Sequence, residues 1–153
     1  MNEEAVENYF SRLQGEICNE LNILNGEDAF SEELLKTQGG GYSRPKMLEN
    51  GKEIEKAAVN MTYSIGNNLP PSASSARPQL AGKPFTAVSI SIIVHPRNPF
   101  IPTTHMNLRF FKIREKDPVW HFGGGYDLTP CYGFTEDAIE WHSFARKATG
   151  QYY

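Results

Sequence analysis

The chain has little cysteine, no long apolar run and no surplus of basic charge, and each absence removes a class of protein. Two cysteines in 153 residues, Cys18 and Cys131, form neither a CxxC pair nor a dense framework. That suits a reducing compartment better than a disulfide-stapled secreted domain. No apolar run approaches the roughly 20 residues that span a bilayer, and the amino terminus MNEEAVENYF is acidic and amphipathic where a signal peptide is basic and then apolar. A soluble cytoplasmic protein is the reading left. The net charge of -3, with both signs mixed along the chain, gives no electrostatic reason to expect nucleic acid or an anionic membrane as partner. Several catalytic signatures are also missing. Gly39, Gly40 and Gly41 lack the Lys-Ser/Thr of a phosphate loop, Ser91 lacks the G-x-S-x-G of a nucleophile elbow, and neither cysteine has a histidine placed to activate it.

What is present fits a single domain over residues 1–153, long enough to bury a core without disulfides or a structural metal. Over residues 2–24, Val6, Phe10, Leu13, Ile17, Leu21 and Leu24 recur at three or four, predicting a helix capped by Asn2 and ended by Asn25 and Gly26. Residues 28–36 read as a second short helix begun near Ser31 and broken by the glycines. Periodicity leaves 47–61 undecided between a helix and a strand with a turn. The Pro-, Ser- and Ala-rich run 67–84 reads as an extended surface loop. Residues 85–94 are β-branched and predict a strand burying Val88, Ile90, Ile92 and Val94. Pro96, Pro99 and Pro102 interrupt it before a second strand over 103–113. REKDP makes a turn, 119–122 a third strand, and Gly123, Gly124 and Gly125 a bend or bulge or a place for a ligand to approach the backbone. Thr135 is expected to cap a last helix, after which GQYY stops abruptly, so the chain reads as cut.

Within 95–111, HPRNPFIPTTHMNLRFF, alternation sends His105, Asn107 and Arg109 to one face and Met106, Leu108 and Phe110 to the other. An antiparallel pairing would add Ser89, Ser91 and His95 to the polar side, although register is not readable. Arg109 suits a carboxylate or phosphate, or else an internal salt bridge. His105 fits a proton donor, a metal ligand or a satisfied core histidine. Asn107 either orients a carboxylate or caps a backbone group. Asp127 either faces bound substrate or makes an Asx turn. His95, His105 and His142 together would suit Zn, Cu or Fe. These patterns give a polar sheet face fitted to an anionic ligand, and no reaction.

HPRNPFIPTTHMNLRFF followed by VWHFGGGYDLTPCYGFTEDAIEWH resembles the oxygen-dependent coproporphyrinogen-III oxidases, whose signature runs H-P-x-N-P-x-x-P-T-x-H-x-N-x-R-x-F and then W-W-F-G-G-G-x-D-L-T-P. GGGYSR, ENGKEIEKAAVN and ARPQLAGKPF are similar to the same family's amino-terminal half. The resemblance implies an α+β domain, an antiparallel β-sheet flanked by helices, here an incomplete copy, and a homodimer. It implies oxidative decarboxylation of coproporphyrinogen III to protoporphyrinogen IX in haem synthesis, with O2 as co-substrate, no organic cofactor, and a divalent metal in some members. It places His105 as proton donor, Ser91, Asn107, Leu108 and Arg109 at substrate, and His95, His105 and His142 at metal. Asp127 is our choice of acceptor for the pyrrole N–H groups. The chain departs from the family where Trp120 and His121 replace paired tryptophans, where Glu140 replaces a histidine, and in lacking the H-R-x-E-x-R-G-I-G-G segment. Two other readings stand beside the enzyme: a non-catalytic tetrapyrrole-binding remnant and a histidine-ligated metal oxygenase.

Overall fold

The computed structural model describes residues 1–37, 39–75 and 77–150. Helix α1, Glu3–Asn25, begins where Asn2 Oδ1 accepts from the Glu4 N–H at 3.0 Å. It ends at Gly26, whose φ of 78° lets its N–H turn back to Asn22 O and Ile23 O. Both ends lie within one residue of expectation. The buried stripe does not follow the expected one throughout: Val6 and Phe10 are buried, but the line continues through Gln14 and Cys18 to Asn25, while Leu24 is 68% exposed.

Those two buried amides are joints between helix and sheet. Gln14 Nε2 donates to Arg44 O at 2.6 Å and Val59 O at 2.7 Å, and its Oε1 accepts from Arg44 Nε at 3.0 Å. Asn25 Oδ1 accepts from the N–H groups of Glu53 and Ile54 at 3.0 and 3.1 Å. Gln14→Leu would leave two carbonyls and a guanidinium nitrogen short of partners, at about 1–3 kcal/mol for each unsatisfied buried group. The expected loss is about 3 kcal/mol in total, read as a lower urea midpoint with an unchanged slope.

Seven strands make one antiparallel sheet: β1 (Ser31–Glu32), β2 (Leu35–Lys36), β3 (Tyr42–Glu49), β4 (Ile54–Gly66), β5 (Phe85–Pro96), β6 (Thr103–Ile113) and β7 (Trp120–Thr129). Their order is β1-β3-β4-β5-β6-β7, with β2 also on β3. With its helices this is the expected α+β class. α1 packs on one face over Val59, Met61, Val88, Ile90, Ile92 and Phe110, adding Val6, Phe10 and Cys18. Val88, Ile90 and Ile92 are buried as their alternation demands, and Val94 packs against them. Burial pushes the Cys18 thiol up to about 11, which keeps it protonated and unreactive.

Three expectations change and one open reading closes. The helix expected over 28–36 is instead β1 and β2, edging β3. Leu34 and Leu35 are exposed, so there is no apolar stripe for a helix to bury, and the Glu33 N–H pairs with Pro45 O. The undecided 47–61 resolves into the end of β3, a turn with Asn50 at φ 58°, and β4. Within 67–84, where Ala76 lies outside the described residues, there is a helical turn α2 (Pro71–Ser74) and a 3-10 turn (Pro78–Leu80). Leu69 and Leu80 from this segment bury themselves against Phe85, Phe111 and Ile113, making it a packed strap. Finally α3, Thr135–Thr149, has Phe134 at its cap position without a side-chain bond, so Thr135 starts the helix and does not cap it. Gln151 to Tyr153 lie outside the described residues.

Candidate functional site

The face of the sheet opposite α1 carries the polar residues, and the register decides which of them meet. β5 and β6 pair Ser89 with Arg109, Ser91 with Asn107 and Ile93 with His105. Directly opposed residues share a face, so the expected juxtaposition of serines, amide, guanidinium and imidazole is present. His95 joins them at the loop end, its Nδ1 3.2 Å from Thr103 Oγ1.

β7 completes the site in a way the sequence reading missed. The glycine run was expected to end a third strand, yet β7 passes straight through it, pairing Gly123 with Arg109, Gly125 with Asn107 and Asp127 with His105. Asp127 is therefore a strand residue and not a turn residue. Its Oδ1 lies 2.8 Å from His105 Nδ1 and also accepts from Thr129 Oγ1 at 3.4 Å. A carboxylate only accepts, so this contact holds the His105 proton on Nδ1 and leaves Nε2 directed elsewhere. The Ile113 N–H bonds Val119 O across the REKDP turn, and counting outward equally from that hairpin brings 105 opposite 127.

Arg109 is exposed, and no carboxylate pairs with it among the described residues. That removes the internal salt bridge as its purpose. Leu108, between Asn107 and Arg109, turns its side chain to the α1 side and packs with the core, so that side chain does not reach a ligand on the polar face.

The three glycines divide by parity. A Cβ on Gly124 would strike Asn107 O and Leu108, whereas one on Gly123 or Gly125 would meet nothing within 4 Å. Gly124 is needed for packing, and its neighbours leave open floor beside Arg109 and Asn107. Gly124→Ala is expected to cost about 1–3 kcal/mol of stability by overpacking. Gly125→Val is expected to fold normally and to weaken a ligand lying on the floor. Thermal melts beside ligand titrations check both.

His142 lies on α3 and shares with Asp127, Tyr126, Trp141, Phe134 and Pro102 a cleft of about 270 Å³. Trp141 meets Tyr126 edge-on at 4.8 Å. His142 thus opens onto the cleft that Asp127 lines, His105 bonds that same carboxylate, and His95 lies against Thr103. Among the described residues no group of three or more His, Cys, Asp or Glu side chains is gathered to hold a metal ion, so the expected metal trio is not assembled and no step is assigned to a metal. His121 stacks on Phe111 at 5.4 Å, and burial, then the nearby Arg77 charge, lowers its pKa and keeps it neutral at neutral pH.

Residues 5–153 match the coproporphyrinogen III oxidase family. The chain belongs to that family. Membership connects the chain to porphyrin and haem biosynthesis and gives coproporphyrinogen III as the family's substrate. Among the described residues no helix is long and apolar enough to cross a membrane. A coproporphyrinogen III oxidase must handle a ligand bearing several carboxylates around pyrrole N–H groups. The exposed Arg109 and the half-buried Asn107 carry donors of the kind the former need, and Asp127 an acceptor of the kind the latter need.

Proposed function

We propose that the sheet face of Ser91, His105, Asn107, Arg109 and Asp127 binds coproporphyrinogen III and supports its O2-dependent oxidative decarboxylation to protoporphyrinogen IX, without an organic cofactor. One observation carries this reading: an exposed guanidinium, an amide and a His–Asp pair stand in successive rows beside two glycines that leave the floor open. Arg109 and Asn107 hold the oxygens of one propionate, and Ser91 helps to hold those of another. The Asp127 carboxylate, anchored to His105 through Oδ1, accepts a pyrrole N–H through Oδ2, and His105 Nε2 exchanges a proton with the substrate.

Each reacting propionate loses CO2 and, from the carbon next to the ring, one hydrogen with its electron pair, leaving a vinyl group. Two electrons leave per propionate, so a pair of decarboxylations supplies the four that reduce one O2 to two waters. The protein's part is to orient the propionate and to assist proton transfer.

Mixing the protein with coproporphyrinogen III under O2 tests the proposal. Release of CO2 together with a divinyl porphyrinogen is expected. Tetrapyrrole binding without CO2 would select the non-catalytic reading, which the exposure of the site favours: the His105 and Asp127 side chains are 38% and 62% accessible, and water weakens such contacts. Absence of binding would reject both.

A further inference from the structure

The polar face continues past β5 onto β4 and β3. Asn60 is the β4 partner of Ser91, which in turn pairs with Asn107, so Asn60, Ser91, Asn107 and Gly125 form one row across four strands. In the adjacent row stand Thr62, Ser89, Arg109 and Gly123. Two strand spacings, about 10 Å, separate Asn60 from Asn107, within the reach of one tetrapyrrole.

Asn60 is held in one orientation. Ser43 Oγ donates to Asn60 Oδ1 at 2.8 Å and lies 3.3 Å from Thr62 Oγ1. With its oxygen engaged by β3, the amide presents its NH2 end away from Ser43. One contact of that NH2, to Thr62 Oγ1, is long at 3.4 Å, so a donor is left for a ligand. The Ser91 hydroxyl stands opposite on an exposed position. An amide N–H and a hydroxyl side by side suit a carboxylate oxygen.

We propose that Asn60, aimed by Ser43 and assisted by Ser91, forms a second carboxylate subsite, taking a propionate at the edge of the tetrapyrrole away from Arg109. The inference rests on the tetrapyrrole reading above. A ligand with carboxylates on opposite edges is anchored on one side by a cation and on the other by neutral donors, which fixes its rotation in the plane of the sheet.

Binding of coproporphyrin III and of its tetramethyl ester, followed by absorbance and by quenching of protein fluorescence, tests the subsite. Asn60→Ala is expected to weaken the tetra-acid roughly tenfold, the effect of losing one hydrogen bond to a charged group, and to change the ester less than about twofold. Asn60→Asp, nearly isosteric, is expected to weaken the acid further by placing like charges together. Ser43→Ala should lower acid affinity by a smaller factor. Unchanged acid affinity in both Asn60 variants, or equal losses for acid and ester, overturns the subsite. Arg109→Ala separates the two failures. If it weakens the acid while the Asn60 variants do not, only the subsite falls; if the wild-type chain binds no coproporphyrin, the tetrapyrrole reading falls as well.

Discussion

Arg109→Ala is expected to lower affinity for coproporphyrin III roughly 100-fold without moving the melting temperature. A guanidinium meeting a carboxylate makes charge-assisted bonds worth about 1.5–3 kcal/mol, and each 1.4 kcal/mol or so is a factor of ten in binding. The unchanged fold follows from the structure. The side chain is exposed and forms no ion pair among the described residues, so its removal leaves no buried partner unsatisfied. Arg109→Lys keeps the charge and loses the fork, and it should recover only part of the affinity. Added salt should weaken the wild type more than the alanine variant. A variant that binds as tightly as wild type would refute the assignment of Arg109 to the ligand.

The second large effect is expected at the His–Asp pair. Asp127→Asn keeps shape but places an amide donor within reach of His105 Nδ1, which favours the tautomer with the proton on Nε2. A positioned acid or base contributes about 10² to 10⁴ in rate. CO2 release in a single turnover is therefore expected to slow by at least about 10²-fold, with coproporphyrin III affinity changed far less. His105→Ala should be comparably slow, and the double variant little worse than either single one, because the two side chains act as a unit. Nitrogen NMR of His105 gives an independent readout, since the wild-type ring should carry its proton on Nδ1. Full turnover by Asp127→Asn would remove Asp127 from the mechanism.

Much of this was legible because three elements are strongly periodic. β5 and β6 carry apolar residues every second position, so their boundaries and buried faces follow from alternation alone. α1 is marked at both ends by Asn2 and Gly26. Polar residues with internal duties were not legible: Gln14 and Asn25 look like surface positions and are buried joints, because what satisfies them is a strand backbone distant in sequence. The glycine run misled for a related reason. Glycine disfavours a strand by its own propensity, but β6 supplies a ladder along all of β7, and open space is needed on one side of it and close approach on the other. Residues 28–36 failed through local spacing that imitated a helix while β3 offered an edge to pair with.

The alternation of β6 has a consequence for how this protein tolerates change. Its even positions, Met106, Leu108 and Phe110, answer to the core against α1, while His105, Asn107 and Arg109 answer to whatever lies on the other side. A saturation library across 105–110 should split into two interleaved phenotypes, with lowered abundance at one parity and normal abundance with altered ligand affinity at the other. Variation at the odd positions is then nearly free of folding constraint. A lineage can retune recognition along this strand by single substitutions without first acquiring a stabilising one elsewhere.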